Sequence, residues 1–293
     1  MKSVLGDKKT ILILLLPAML LYTLVKLVPV LWSLGLSFFQ GDLRGFTFVG
    51  LANFSKALED AELHQAILFT LQYSLVVTAG QILLGYLFAL FYVFVLRRSS
   101  AFVRALVFFP TVLPSVAVAL LFQRFFEVAP QTGPVNSIFN AIGLPSIDWF
   151  GAPNTSFVVL VVVALWSSVG FFALLMYAGL VDIPEELLES ARIDGANGLQ
   201  LIRRIVLPLS LPVLLSATIF SFNVTLKVFD TIYALTGGGP GTSTQPLTLY
   251  MFKTTFTFQD YGYGATIALV LTLICLCVSL LIFGSARKDR TKA

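Results

Sequence analysis

Few residues in this chain could do chemistry, and they gather in two places. The first is a run of acids: Asp182, Glu185, Glu186, Glu189 and Asp194 are five of its fifteen Asp and Glu residues. The second is a polar set, Ser216, Asn223, Lys227 and Asp230, inside an otherwise apolar stretch. On one continuous helix these four fall within about 60° of each other. Ionisable groups at membrane depth are costly and face a cavity or one another. Two readings of this stripe stay open. Either Lys227 and Asp230, three apart, pair and lock the segment to a neighbour, or the four line a polar path through the membrane. In the second case Phe220, Phe222 and Phe229 supply aromatic faces.

The remaining reactive types do not form sets. Lys26 snorkels, pairs with another chain or faces a cavity, and Arg124 is placed to reach lipid headgroups. His64 stands alone without metal partners. Cys275 and Cys277 are two apart in an apolar helix, point different ways and are read as packing residues. There is no G-x-x-x-x-G-K-[ST], no nucleophile–base set and no metal cluster. The chain is therefore expected to be no enzyme and to hold no cofactor of its own.

Composition says what must position these residues. The chain is 57% hydrophobic and 12% charged, with mean hydropathy +0.91, about half the charge of a soluble domain. Six stretches reach the roughly 20 apolar residues that a helical crossing needs: 10–39, 66–96, 102–126, 156–181, 209–235 and 263–285. Helices are expected because unpaired backbone groups are too costly in hydrocarbon. The first stretch follows Lys8 and Lys9 as a signal peptide would. It lacks an A-x-A-like site and is too long, so it is read as a retained span that tilts or has an interfacial end.

Orientation follows from Lys and Arg in the short loops. Lys2, Lys8, Lys9, Arg97, Arg98, Arg104, Arg192, Arg203, Arg204, Arg287, Lys288, Arg290 and Lys292 share one side; Arg44, Lys56 and Lys253 share the other. Both termini and the acidic loop are thus expected to be cytoplasmic. The net charge of +4 reflects this asymmetry, and no nucleic-acid partner is implied. The domain reading is a tail at 1–9, a first helix and outside loop at 10–65, a helical core at 66–285 and a tail at 286–293.

Prolines 17, 29, 110, 114, 208 and 212 fall inside spans and bend or break helices. Gly85 and Ala89 form a small-xxx-small pair suited to helix contact. The outside loop 127–155 carries one amphipathic piece at 135–142, and "TGGGPGTSTQP" (236–246) reads as an irregular, exposed loop. In the acidic loop, Asp182 and Glu185 fit a capping box, with Pro184 in the first turn. Glu185, Glu186 and Glu189 suit the helix dipole, and Leu187, Leu188 and Ala191 form a short apolar stripe. Gly195 can take the left-handed conformation that ends a helix. Asp194 or Asn197 can cap a second helix, which carries Leu199, Ile202, Ile205 and Val206 and stops near Pro208. Spacing leaves open whether the apolar stripe packs on the chain's own surface or on a second protein.

The stretch "ESARIDGANGLQLIRRIVLP" (189–208) resembles the EAA motif of permease subunits of binding-protein-dependent ABC importers: E-A-A, three residues, Gly, nine residues, I-x-L-P. Glu189, Ser190 and Ala191 lead to Gly195, then to Ile205, Leu207 and Pro208; Ser190 is the one departure. "FFPTVLPSVAVALLFQRFF", "GLVDIPEELLESARIDGA" and the "LTGGGP" segment, Leu235–Pro240, look like the carbohydrate-uptake branch, its MalF-like or UgpA-like members. The resemblance covers roughly residues 10 to 285, without the extra N-terminal helices and large outside domain of the maltose-type subunit.

It implies an all-α polytopic membrane protein of six transmembrane helices with the MetI-like permease fold, in a prokaryotic cell membrane. It implies a second homologous permease subunit and two cytoplasmic ATPase subunits gripping 182–208. It also implies an extracytoplasmic binding protein, docked on loops 127–155 and 236–262, that delivers a sugar or related polyol. Glu185, Glu186, Glu189, Ser190, Ala191, Asp194, Gly195, Ile205, Leu207 and Pro208 become the coupling residues. An ion-gradient-driven carrier is the alternative. It leaves the acidic loop unexplained and offers only Asp230 as a coupling carboxylate.

Overall fold

The computed structural model describes residues 8–42, 44–96, 99–128 and 131–290. Lys2, Arg97, Arg98 and Lys292, counted in the charge asymmetry, lie outside the described residues, as do the side chains of Lys8, Lys9, Arg287, Lys288 and Arg290. Helices dominate, in the order α1 Lys8–Tyr22, α2 Val28–Leu36, α3 Ala52–Glu59, α4 Ala61–Leu90, α5 Ser100–Phe108, α6 Ser115–Phe125 and α7 Pro134–Ala141. They continue as α8 Pro153–Val181, α9 Glu185–Ile193, α10 Gly198–Leu201, α11 Leu207–Thr225, α12 Asp230–Leu235, α13 Leu247–Phe252 and α14 Tyr261–Arg290. The all-helical expectation misses a short antiparallel ribbon, β1 Phe39–Asp42 with β2 Gly45–Phe48, pairing Phe39 with Phe48.

Among the described residues, five helical segments are long and apolar enough to cross a membrane: Ile11–Leu36, Ala61–Leu96, Pro153–Val181, Gly198–Thr225 and Tyr261–Gly284. The expected third span is instead a broken pair, Ser100–Val112 and Ser115–Phe125, bent by 95°. The cause is local. Leu113 precedes Pro114, and a residue in that place is pushed out of the α region. Leu113 is extended at φ −73°, ψ 141°, so α6 must start afresh in another direction.

The fifth span also differs from the expected 209–235. It starts at Gly198 and ends at Thr225. Pro208 does not stop it, because a π-type turn at Ile202–Val206 precedes the proline. The widened turn relieves the clash of the ring with the carbonyl four residues back. The same arrangement, Thr23–Leu27 before Pro29, carries α1 into α2. At the far end the Thr225 hydroxyl bonds the carbonyls of Ser221 (2.9 Å) and Phe222 (3.2 Å) in its own helix. Such back-bonding weakens a helix locally. The Val228 carbonyl, beyond the break, accepts the Thr248 hydroxyl.

By contacts the chain divides into two compact units, residues up to Leu63 with Tyr250–Thr272, and His64–Leu249 with Leu273 onward. The larger has two apolar clusters. One gathers Phe69, Tyr73 and Val77 of α4, Val118 and Ala119 of α6, Val159, Leu160 and Val163 of α8, and Ile232 and Leu235 of α12. The other joins Ala89, Phe172, Met176, Leu180, Ala191, Leu201, Val206 and Ala217. Gly85 and Ala89 do mark a close helix contact: a Cβ on Gly85 would lie 3.0 Å from Phe172 Cβ, and Ala89 is fully buried. In the smaller unit, buried Asn53 donates to the carbonyls of Ser37 (2.9 Å) and Phe39 (2.8 Å), fixing α3 to the start of the ribbon.

Candidate functional site

The acidic loop is built as an elbow of two helices. α8 ends at Val181, with Asp182 in its C-cap. The expected Asp182–Glu185 capping box is absent, and no side chain caps α9. Ile183 precedes a proline, and Pro184 itself is extended at ψ 129°, so the helix opens only at Glu185. Glu185 and Glu186 still occupy its first turn, where the helix dipole favours them.

The apolar residues of the elbow divide: some pack on the chain's own surface and some face away from it. Ala191, Leu201 and Val206 are buried in the second cluster, with Ile183, Leu188, Ala196 and Ile205 packed against it. Leu187, Ile193 and Leu199 face away from the chain, Ile193 at 86% exposure and Leu199 at 76%. Around them Glu185, Glu186, Glu189, Ser190, Asp194, Arg203 and Arg204 are exposed as well. The elbow is thus anchored on one side and presents an apolar knob ringed by charge on the other. Leu207 is half-buried and Pro208 exposed.

The bend is a Schellman motif. Gly195, at φ +84°, donates to the Arg192 carbonyl (3.0 Å), and Ala196 donates to the Ala191 carbonyl (2.9 Å). A Cβ on Gly195 would meet nothing within 4 Å. The glycine is needed for its backbone angle, and closeness to the rest of this chain does not require it. Of the two capping candidates, Asn197 caps α10 while Asp194 closes α9.

The stripe is not brought together. α11 ends at Thr225, so Lys227 and Asp230 leave the helical wheel of Ser216 and Asn223. No ion pair joins Lys227 to Asp230, whereas Lys56 pairs with Asp260 and Arg124 with Glu127. Ser216 is exposed and bonds the Pro212 carbonyl in its own helix (2.8 Å). Asn223 donates to the Ser279 hydroxyl of α14 (3.0 Å). Arg124, expected to reach headgroups, holds both Glu127 oxygens at 2.9 and 3.0 Å. Lys26 and His64 are exposed; Cys275 is half-buried and Cys277 exposed, both unbonded.

The polar seam of the larger unit lies elsewhere, among neutral residues that the sequence reading passed over. Ser221 of α11 donates to Gln81 Oε1 (2.5 Å) and Thr78 (2.8 Å) of α4. Gln81 Nε2 donates to Ser168 of α8 (2.7 Å), and Thr78 meets Thr225 at 3.3 Å. The available signal was spacing: Thr78 and Gln81 are three apart, Ser221 and Thr225 four apart, each pair on one helix face. Each such bond between membrane helices contributes about 0.6 kcal/mol on average.

The described parts of loops 127–155 and 236–246 carry buried polar hubs. Asn136 is fully buried; its Nδ2 donates to the Ile147 (3.0 Å) and Glu127 (3.3 Å) carbonyls. Its Oδ1 accepts from the Ile147 amide (3.0 Å) and Trp149 Nε1 (3.1 Å). The 236–246 loop is irregular as expected but not exposed throughout: Thr244 and Gln245 are buried, and Thr244 donates its amide to the Gly238 carbonyl (3.1 Å).

In the smaller unit two aspartates brace two helices reciprocally. Asp60 Oδ1 accepts the first amides of α4, Glu62 (2.9 Å) and Leu63 (3.1 Å), while Oδ2 accepts the hydroxyls of Tyr250 (2.5 Å) and Tyr263. Asp260 Oδ1 caps α14 through the Tyr263 amide (3.1 Å), while Oδ2 takes Lys56 (3.1 Å). Lys56 also lies 4.0 Å above the Tyr263 ring. Burial works to raise the Asp60 carboxyl, but the hydroxyls of Tyr250 and Tyr263 and the Leu63 and Glu62 amides outweigh it and hold it below the ordinary 3.8. Burial and the hydrogen bond to Asp60 push the Tyr250 phenol well above its usual range.

A multi-pass helical membrane protein with an anchored, outward-facing elbow between two spans is the architecture of an importer permease. The chain belongs to the family of binding-protein-dependent transport system inner membrane components, whose model matches residues 81–290. Among its relatives is the sulfoquinovosyl glycerol transport system permease protein SmoG of Agrobacterium fabrum. It is 33% identical over 248 residues, 84% of this chain and 80% of that protein. The trehalose/maltose transport system permease protein MalF of Thermococcus litoralis is 35% identical over 202 residues, 69% of this chain and 68% of that one. The fold matches, at TM-score 0.82 over 98% of both chains and 23% identity, a crystal structure of a bacterial ABC transporter that imports the acidic polysaccharide alginate. The expected importer-permease fold and role therefore hold, and the ion-gradient carrier falls away.

Proposed function

We propose that this subunit carries a sugar or related polyol across the membrane, and that its 182–208 elbow is the contact through which ATPase subunits drive it. The observation that carries the coupling role is the outward placement of Ile193 and Leu199 amid exposed acids, on an element whose other face is packed into the chain. An exposed apolar knob ringed by charge is what a partner protein buries. The sugar class is supported by the names of the two relatives, one taking up a sulfoquinovosyl glycerol and the other trehalose and maltose.

In this reading the elbow and both termini are cytoplasmic, as the distribution of Lys and Arg requires. The chain holds no cofactor and hydrolyses nothing; ATP and Mg belong to two ATPase subunits. A second permease subunit completes the membrane pathway, and a binding protein docks on loops 127–155 and 236–262. Lys227 and Asp230 remain candidates for the path as separate exposed charges beyond the end of α11, with Ser216 and Asn223 behind them.

The test replaces Ile193 and Leu199 by glutamate, singly and together, in the whole assembly. Loss of ATPase subunits from the purified complex, with the two permease subunits still associated, is the expected result. Retention of the ATPases with ATP-driven uptake at the wild-type rate refutes the coupling role. Uptake of maltose, trehalose and glycerol into vesicles loaded with ATP then tests the solute class.

A further inference from the structure

We propose that Asn197 and Gln200 are positioning residues that make the elbow rigid enough to transmit movement. This rests on the coupling reading above and names which side chains it depends on. Neither residue occupies a fixed position of the E-A-A, Gly, I-x-L-P pattern. Both are exposed, and neither belongs to the apolar cluster that anchors the elbow. What they do is bond each other: Asn197 Oδ1 accepts the Gln200 amide (3.0 Å), and Gln200 Oε1 accepts the Asn197 amide (3.1 Å). This is a complete capping box.

Its place in the chain gives it consequence. The Schellman motif of α9 uses Gly195 and Ala196, and the capping box begins at the next residue, so two helix-ending devices are fused without a free link. The Asp194 amide bonds the Ser190 carbonyl (2.9 Å), and the Leu201 amide bonds the Asn197 carbonyl (2.8 Å), extending the bonded chain on both sides. Gly198 then opens a single 28-residue membrane span running to Thr225. A displacement applied at Ile193 and Leu199 reaches that span through the bend. If the first turn of α10 frays, the bend absorbs the displacement and the span stays behind. Removing an N-cap changes the balance between formed and frayed turn by about fivefold, corresponding to ~1 kcal/mol. The buried anchors Ala191, Leu201 and Val206 keep the loop folded in either case, so the expected loss is in transmission, with assembly retained.

The test uses the complete importer, with both permease subunits and its ATPases, in lipid nanodiscs. Cys275 and Cys277 are replaced by alanine, and spin labels are placed at Arg192 on α9 and Val224 at the far end of the span. Wild type should give one narrow distance distribution both without nucleotide and with ATP plus vanadate. N197A should at least double its width while ATPases remain bound, and N197S, which keeps a capping hydroxyl, should restore it. Should N197A not assemble, Q200A, which removes only the reciprocal bond, takes its place. A narrow distribution in these alanine variants with ATPases bound overturns the inference and leaves the coupling role intact. Wild-type permease that never holds ATPases overturns the coupling role, and this inference with it.

Discussion

Among the described glycines of the larger unit, the tightest fit against backbone is at Gly170, where α8 meets the first half of the broken third span. A Cβ placed on Gly170 would lie 2.1 Å from the Val107 carbonyl oxygen and 2.7 Å from Phe108 Cα. Contacts under 3.0 Å are not tolerated, so α5 and α8 would have to separate by roughly 0.9 Å at this point. Both obstacles are backbone, and no side chain can turn aside. Overpacking of this kind costs about 1–3 kcal/mol, and the shift also strains the Leu113–Pro114 corner a few residues on. G170A should therefore lower the melting temperature of the purified subunit by several degrees, followed by fluorescence-detected size exclusion after heating. Two comparisons isolate the cause. The atoms nearest a Cβ on Gly80 all belong to the Leu165 side chain, the closest at 2.7 Å, so L165A should rescue G80A, whereas no truncation should rescue G170A. Gly198 has open space around its Cβ position, so G198A should leave the melting temperature within about a degree. A melting temperature for G170A equal to that of G198A would refute the close approach of α5 and α8.

Other expectations follow from the same geometry. At Gly195 the space is open but φ is +84°, so cost should follow left-handed propensity, N least, A about 1–2 kcal/mol and V most, read as melting temperature; equal cost for all three would show that the turn is not held left-handed. Asp60 is held below 3.8 by its donors. A depressed carboxyl contributes stability above its unfolded value and loses it as pH falls through the folded one. Wild type should thus lose stability below about pH 4, and D60N should flatten that limb of a melting-temperature profile; an unchanged profile would refute the brace. N136A leaves the Trp149 indole and the Ile147 amide without their acceptor, each about 1–3 kcal/mol, and should expose loop 127–155 to protease; wild-type resistance would refute its role as hub.

How much was legible in the sequence depended on whether the signal was a spacing or a partner. Span count, the pairing of Gly85 with Ala89 and the left-handed Gly195 are local, periodic features, and each was readable. Pro114 was seen as a helix breaker, but the size of its bend depends on how the extended Leu113 directs the next helix. Pro208 was misread as a stop because a π-type turn, invisible to a 3.6-residue wheel, makes room for the ring. The Lys227–Asp230 pair failed for a related reason: wheel geometry presumes an unbroken helix, and the helix ends at Thr225. The buried hubs were missed because charge drew attention to Lys227 and Asp230, while Thr78, Gln81, Ser168 and Ser221 are neutral. Within hydrocarbon it is the neutral hydrogen-bonding side chains that can afford to be buried.

That choice of neutral groups bears on how the larger unit can change shape. A buried ion pair is costly to separate, typically 3–5 kcal/mol when one partner is lost. A hydroxyl or amide contact between membrane helices contributes only about 0.6 kcal/mol, with a ceiling near 1.7. The seam joining α4, α8 and α11 is made entirely of the second kind. Ser221 holds two partners on α4, and Gln81 offers both a donor and an acceptor, so sliding α11 against α4 exchanges bonds and strands no charge. Such an interface can have two arrangements of similar energy, which the coupling proposed for the elbow requires. Replacing Ser221 by aspartate tests the argument, because a carboxylate there must keep one arrangement or neutralise. With ATP supplied, S221D should assemble with its partners and fail to alternate, measured as loss of nucleotide-dependent change in accessibility of a cysteine at Val224. Wild-type alternation in S221D would show that the seam does not set the balance between states.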